Sequence, residues 1–508
     1  MAHKVGSRSE TEPTDGSRPL QIPARSKAAP SLRKEQAQGA PAPPTAFPCA
    51  TALWKAWERT AARLAEEPAF LPLESDRWIS FREIDSAARA LAHEHLSDAR
   101  NAWIAFSLPN GPEWIGAFLA CQAAGAAAMP LDATIPEGEL APTAQRLGAS
   151  FLWTPHRWER LAPRRIGRAG IAVVKLSSGS RREAVPLPFS AEAMIEDGWN
   201  TSCAMGTGEN DRALALLPLG HSYALGSLVL PFLLRGMRLV SAATFLASQI
   251  PRWIRSHRIT FFPSVPDVWR ALGQLPRPLP LPSLRIAVSA GAALPAETAQ
   301  RIQERFSVKI HSLYGSSETG SISYDGSGEA TLAGRSVGTP LPRVSVTITR
   351  TRRVSVSSRA LFGRRRRITL PDLAEWTDRG EIRLLGRADP VITIGGRKIH
   401  PAEVEALLRR LPSVTDAHVR GVRGRTRSYL IAAAESPKSA SELLRLLADV
   451  APEWKIPRFL VCLPALPRNA RGKVEEKSLR ALFHDIYRPF PSTRASQMRP
   501  SASGSSDS

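Results

Sequence analysis

Ile171-Ala172-Val173-Val174-Lys175-Leu176 runs directly into Ser177-Ser178-Gly179-Ser180. The hexapeptide is apolar except for one lysine and is too short for a typical helix, so it reads as a buried strand. The four residues after it turn the chain and can offer backbone N–H groups and hydroxyls to an anion. The same step occurs twice more. Leu284–Ser289 (LRIAVS) leads into Ala290-Gly291-Ala292-Ala293, after which Pro295 opens a helix. Val308–Leu313 (VKIHSL) leads into Tyr314-Gly315-Ser316-Ser317-Glu318-Thr319-Gly320. Apolar strands alternating with helices and small-residue loops predict an α/β fold on mostly parallel sheets. In such sheets ligands gather beyond the carboxyl ends of the strands, so these loops are expected to converge on one site.

Upstream, Leu53–Leu64 has helical spacing, and Trp103–Leu108 and Ala126–Leu131 read as strands. Pro112 starts a helix that would place Trp114, Phe118 and Leu119 on one face. Beyond residue 340 the strand-like runs become short and polar. Glu381–Leu385 and Val391–Ile394 flank Gly386-Arg387-Ala388-Asp389, and Pro401 opens an amphipathic helix with Val404, Leu407, Leu408 and Leu411 on one face. The expected organisation is a disordered tail at 1–47, a large N-terminal α/β domain at 48–386 and a hinge at 387–389. A small mobile α+β C-terminal domain at 390–487 and a second tail at 488–508 complete it.

The chain has 508 residues and a formal charge of +22, with 43% hydrophobic and 22% charged residues. That length predicts more than one domain, and that composition excludes global disorder. Cys49, Cys121, Cys203 and Cys462 are too few and too scattered for a disulfide framework or a paired-cysteine zinc site, which suits a reducing cytoplasm. The stretch Ala117–Leu131 is short for a membrane span and contains Gln122, Gly125 and Pro130, and the first 30 residues carry no apolar signal core. The positive charge points to an anionic partner or to an arginine-rich surface of no special purpose.

Several stretches carry candidate chemistry. The segment 314–320 supplies a ring to stack on, hydroxyl donors and a carboxylate suited to Mg²⁺, as a nucleotide site requires. A solvated polar turn has the same composition. Arg387 offers a guanidinium fork near the expected domain boundary, and Pro467–Lys473 (PRNARGK) is a basic loop ending in a lysine that could swing onto a carboxylate or phosphate. Gly220-His221-Ser222-Tyr223-Ala224 approaches a nucleophile elbow, the basis of a rival reading as a serine hydrolase acting through Ser222. The run Arg350–Arg367 holds eight arginines and no acid, the basis of a reading as an anion-binding module. No helix-turn-helix or zinc-finger spacing accompanies it. His400 and Glu403 have no further ligand candidate beside them.

Taken in order, LPNGPEWIGAFLACQAAGAAAMPLD (108–132), PLGHSYALGSLVLPFLLRG (218–236), SAGAALP (289–295), YGSSETG (314–320), GRADPVITIGGRKIHPAEVE (386–405) and LPRNARGKV (466–474) resemble the adenylate-forming, AMP-binding superfamily. That group includes acyl-CoA synthetases, peptide-synthetase adenylation domains and luciferases. The resemblance is collinear over roughly 50–485. It implies activation of a carboxylic acid, fatty or aryl, with ATP and Mg²⁺ to an acyl-AMP. Transfer to the thiol of CoA or of a carrier protein's phosphopantetheine would follow, with no specific nucleic acid as partner. It implies phosphate contacts from Ser177, Ser178, Gly179 and Ser180. Adenine would lie against Tyr314 and the Gly291, Ala292 and Ala293 backbone, beside Gly315 and Ser316. Ser317 would bond the α-phosphate, Glu318 would hold Mg²⁺, and Asp372 and Arg387 would take the ribose or phosphate. His221 would line the acyl pocket, Asp389 would be the hinge, and Lys473 would bridge carboxylate and phosphate.

The chain departs from the family pattern at four places. Arg182 replaces the second glycine of the phosphate loop, and Val185 stands where a lysine is usual. Pro371 replaces the glycine before Asp372, and Thr393 replaces a lysine in the hinge strand. A non-catalytic, anion-binding relative of the family is therefore the alternative to an active ligase.

Overall fold

The computed structural model describes residues 47–483 apart from 48, 76, 134, 136, 162–168, 178–184, 364, 389–391, 395–396, 400, 424–427, 452, 470–471 and 473. A nine-stranded sheet and a six-stranded sheet form the large N-terminal part. In the first, Phe70–Pro72, Arg238–Ser241, Arg212–Ala215, Phe261–Ser264, Ile286–Ser289 and Ile310–Ser312 lie parallel, and antiparallel strands close the edges. In the second, Phe151–Trp153, Trp103–Phe106, Ala127–Pro130 and Ile171–Leu176 are parallel. The α/β expectation is met.

The helix Pro112–Ala123 packs against the helices Ala52–Arg63 and Phe81–His95 and the strand Ala127–Pro130. Every residue of it except Glu113 is buried, not one face as periodicity suggests. A helix that is apolar all round has to be enclosed, and this one sits in the main core with Phe106 edge-on to Trp114 at 5.4 Å. A second aromatic stack, with Trp57 on Phe232 at 5.4 Å and Phe81 on Phe232 at 5.5 Å, binds the helices Ala52–Arg63, Phe81–His95 and Leu230–Arg235. Thr51 and Ser80 cap the first two of these helices, and Ser80 forms a full capping box with Glu83.

A four-stranded antiparallel sheet follows (Ser345–Ile348, Arg353–Ser357, Ile368–Trp376, Ile382–Arg387) and carries much of the arginine run on its strands and connections. The last part is α+β. Asp416–Arg423 pairs antiparallel with Ser428–Glu435, which pairs in parallel with Phe459–Leu463. It has its own core of Ile399, Val404, Leu408, Leu411, Leu443, Leu447 and Leu460, so the amphipathic helix opened by Pro401 buries the face its spacing predicts. Among the described residues, no helix is long and apolar enough to cross a membrane. All four cysteines are unpaired. The hinge residue Asp389 and both tails lie outside the described residues.

Candidate functional site

Three loops follow parallel strands of the nine-stranded sheet on its carboxyl side. The first is the small-residue loop after Ile286–Ser289. Gly291, Ala292 and Ala293 are exposed there, and Gly291 takes φ +88°, a conformation glycine adopts without strain. The second follows Arg212–Ala215. Asn110 pins it, accepting from the Leu219 N–H at 3.0 Å and donating to the Leu217 carbonyl at 2.8 Å, and His221 stands at the N-terminal boundary of the short helix that comes next, with no capping bond from its side chain.

The third, 314–320, differs from the sequence expectation. The strand Ile310–Ser316 runs on through Tyr314-Gly315-Ser316 and folds back antiparallel into Gly320–Tyr324, leaving a tight turn at Ser317-Glu318-Thr319. Gly315 permits this: a Cβ there would lie 2.6 Å from the Gly320 carbonyl oxygen. The Ser316 hydroxyl accepts from the Glu318 N–H at 3.2 Å and lies 3.0 Å from Thr319 Oγ1. Glu318 is left half-buried.

Hydrogen bonds lock the three loops together. The Ser222 hydroxyl donates to Ser317 Oγ at 3.2 Å, and the Tyr223 phenol donates to the Val288 carbonyl at 3.2 Å. Ser222 thus joins two loops, and burial pushes the Tyr223 phenol well up from its ordinary range. Ser222 entered the sequence reading only as a candidate nucleophile; the role of Tyr223 carried no signal in the sequence.

The four-stranded sheet brings two further groups. Asp372 and Arg387 are cross-strand partners, with Arg387 Nε 3.5 Å from Asp372 Oδ1. Both act on Tyr314, which is 8% exposed. Burial, and then the neighbouring Asp372 carboxylate, push the Tyr314 phenol far above its usual range, while the Arg387 charge opposes them and Glu318 adds a smaller push. Residues far apart in sequence (Tyr314, Glu318, Asp372, Arg387) therefore share one electrostatic neighbourhood. Phe362, within the arginine run, donates its N–H to the Glu318 carbonyl at 3.3 Å, and Arg365 lies over its ring at 4.4 Å.

The phosphate-loop candidate is described only at its mouth. Ser177 donates its N–H to the Val185 carbonyl at 2.9 Å and accepts from the Val185 N–H on its hydroxyl at 2.9 Å. Ser178, Gly179, Ser180 and Lys473 lie outside the described residues. Gly472, which precedes Lys473, takes φ +69°, and a Cβ there would be 3.5 Å from Asp267 Oδ2 in the N-terminal part. Nearby, Arg270 reaches Glu435 at 3.5 Å, and Glu435 lies 3.7 Å from Arg468.

Among the described residues, no group of three or more His, Cys, Asp or Glu could hold a metal unaided. The donor set fits a hard cation that arrives with a nucleotide, for Mg²⁺ is commonly held by one or two carboxylates and substrate phosphates. Glu318 supplies such a carboxylate.

The chain matches the AMP-binding enzyme profile at residues 57–196 and 185–354, and the AMP-binding enzyme C-terminal domain at 403–473. A 3-[(3aS,4S,7aS)-7a-methyl-1,5-dioxo-octahydro-1H-inden-4-yl]propanoyl:CoA ligase of Mycobacterium tuberculosis is 27% identical over 297 residues, covering 54% of this chain and 59% of that protein. The match thus spans about three fifths of that relative's length. The crystal structure of ATP-bound MatB from Rhodopseudomonas palustris has a TM-score of 0.73 at 19% identity, covering 85% of this chain and 99% of that one. The O-succinylbenzoate coenzyme A synthetase MenE from Bacillus subtilis, in complex with ATP and magnesium ion, has a TM-score of 0.71 at 22% identity, covering 84% and 99%. At these identities the solved structures establish a shared fold.

Proposed function

The chain belongs to the AMP-binding enzyme family, and from that premise we propose that it is an acid–thiol ligase of the AMP-forming type. A carboxylate oxygen of a fatty or aryl acid attacks the α-phosphorus of ATP. The bond to the β-phosphate oxygen breaks, and pyrophosphate leaves. The thiol of CoA or of a carrier protein's phosphopantetheine then attacks the acyl carbonyl. AMP leaves, and the thiol proton is released. The observation that carries this reading is the convergence of Tyr314, Glu318, Asp372 and Arg387 around one neighbourhood, at positions that match the family's nucleotide motifs.

Two anions must meet in the first step, so the main lever is neutralisation of the charge that develops. Mg²⁺, when bound with ATP, supplies Lewis-acid stabilisation at the phosphates, with Glu318 as its protein ligand. Tyr314 packs against adenine beside the Gly291–Ala293 backbone. Asp372 accepts from the ribose hydroxyls while Arg387 fixes its carboxylate. Ser317, held by Ser222, donates to the α-phosphate. Ser177 to Ser180 meet the outer phosphates, His221 lines the acyl pocket, and Lys473 bridges the substrate carboxylate and the α-phosphate. Residues 387–389 form the hinge between the domains at 48–386 and 390–487, with Asp389 at its centre. The four free cysteines suit a cytoplasmic site of action.

The test is ATP–pyrophosphate exchange across a panel of fatty and aryl acids, with Asp372→Ala alongside the wild type. Exchange with at least one acid is expected, and the variant should raise KM for ATP about tenfold or more, as loss of a charged hydrogen-bond acceptor does. Binding of MgATP with no exchange for any acid would instead establish a non-catalytic nucleotide-binding relative.

A further inference from the structure

The lysine that interrupts the strand Ile171–Leu176 is enclosed. Strand alternation turns Val173 and Lys175 to the same face, and Val173 belongs to the main apolar core. The Lys175 side chain is 1% exposed, its ammonium lying 4.4 Å from the centre of the Phe189 ring and 3.4 Å from Asp197 Oδ2. Asp197, on the helix Ala191–Met205, is 3% exposed. A charge this far from water is retained only when it is paired and its remaining valences are used.

The second oxygen of Asp197 shows how those valences are used. Asp197 Oδ1 accepts the Ser321 N–H at 3.0 Å. One helical turn on, the Thr201 hydroxyl donates to Ser321 Oγ at 2.9 Å. The helix thus grips both the backbone and the side chain of Ser321, three residues after Glu318. Gly320 has φ +71°, and a Cβ there would lie 2.3 Å from Asp197 Oδ1. The absence of a side chain at Gly320 is what lets the carboxylate press against the turn. At the other end of the pair, Lys175 stands two residues before Ser177, where the phosphate-loop candidate begins.

We propose that Lys175 and Asp197 are positioning residues: Lys175 holds the carboxylate in the core, and the carboxylate fixes the Ser317–Thr319 turn against the strand from which the phosphate loop springs. The two anion-facing loops come from different sheets, and this pair ties them into one register. The proposal rests on the nucleotide reading of Glu318 and Ser177. It also gives that site a support from the core close to where the phosphate loop departs from the family pattern.

The test uses the full chain and two neutral double variants. K175M/D197L removes both charges and the acceptor for Ser321, while K175M/D197N removes the charges and keeps an acceptor. For K175M/D197L, amide hydrogen exchange at 318–323 should rise about tenfold. KM for MgATP should rise about tenfold to a hundredfold, as for a misplacement of about 1 Å, and KM for the acid should stay the same. K175M/D197N should return both quantities toward wild type. A folded K175M/D197L with unchanged exchange and unchanged KM for MgATP overturns the proposal, as does equal loss in both doubles. If K175M/D197L does not fold, Thr201→Val carries the test. It should raise the same exchange and the same KM about threefold, as loss of one hydrogen bond does, and no change in either overturns the proposal. Should the wild type fail to bind MgATP while amide exchange still follows the acceptor at 197, the nucleotide assignment fails and the hold on the turn stands.

Discussion

Replacing Gly320 by alanine tests the packing at the centre of the site. The backbone there is left-handed at φ +71°, and the new Cβ would lie 2.3 Å from Asp197 Oδ1 and 2.5 Å from its Cγ. Left-handed backbone costs an ordinary residue about 1–2 kcal/mol. Asp197 has no room to retreat, because Lys175 and the Ser321 N–H hold its two oxygens, so overpacking adds about 1–3 kcal/mol. The sum is about 2–5 kcal/mol. At about 2 °C per kcal/mol for a large unit, the N-terminal part should melt about 4–10 °C lower. Tryptophan fluorescence reads this part selectively, since every tryptophan except Trp454 precedes residue 377. Gly326→Ala is the control: it lies beyond the same hairpin, its Cβ would meet nothing within 4 Å, and its backbone is not left-handed. That change should be neutral or stabilise by up to about 1 kcal/mol. A Gly320→Ala protein that melts with wild type, or a Gly326→Ala protein that melts as low as Gly320→Ala, would refute the reasoning.

Two further outcomes follow from the same contacts. Tyr223→Phe removes one of two side-chain donors to the buried Val288 carbonyl, which keeps the Trp269 indole N–H at 3.3 Å, and should cost about 0.5–1.5 kcal/mol in urea unfolding; an unchanged midpoint would contradict a stabilising role for the phenol. Burial alone would raise the Asp416 carboxyl, but the charges of Arg409 and Arg468 outweigh it and hold it below its ordinary value. A depressed carboxyl contributes stability above its unfolded value near about 3.9, and that stability is lost as pH falls through the lower folded value. The protection factors of the Ser428–Glu435 amides, with intrinsic exchange divided out at each pH, should therefore fall below about pH 4 in the wild type. In Asp416→Asn they should be low already at neutral pH and depend less on acid, and identical pH profiles of protection would contradict the assignment.

The local steps from strand to loop were legible in the sequence, because IAVVKL, LRIAVS and VKIHSL are apolar runs bounded by small residues. The hairpin return of 314–324 was not, because a strand that ends and one that turns back after three residues share the same composition. Trp114, Phe118 and Leu119 show a stripe at helical spacing, yet the residues between them are also apolar and the helix is enclosed on every side. Asp372 and Arg387 were each named from motif matches. Their pairing depends on antiparallel register across a sheet, which spacing along the chain does not express. Lys175 reads as a polar blemish in a core strand. Its partner lies on another element, and only tertiary packing shows that the charge is used.

The central claim is that the acid is activated as an acyl adenylate. A single turnover with a carboxylate labelled with ¹⁸O in both oxygens, followed by mass analysis of the nucleotide, tests it most directly. Attack of a carboxylate oxygen on the α-phosphorus, then expulsion of AMP by the thiol, leaves one labelled oxygen on the AMP phosphate. AMP carrying that label is the predicted result. ADP and labelled orthophosphate, or AMP free of label, would contradict the account.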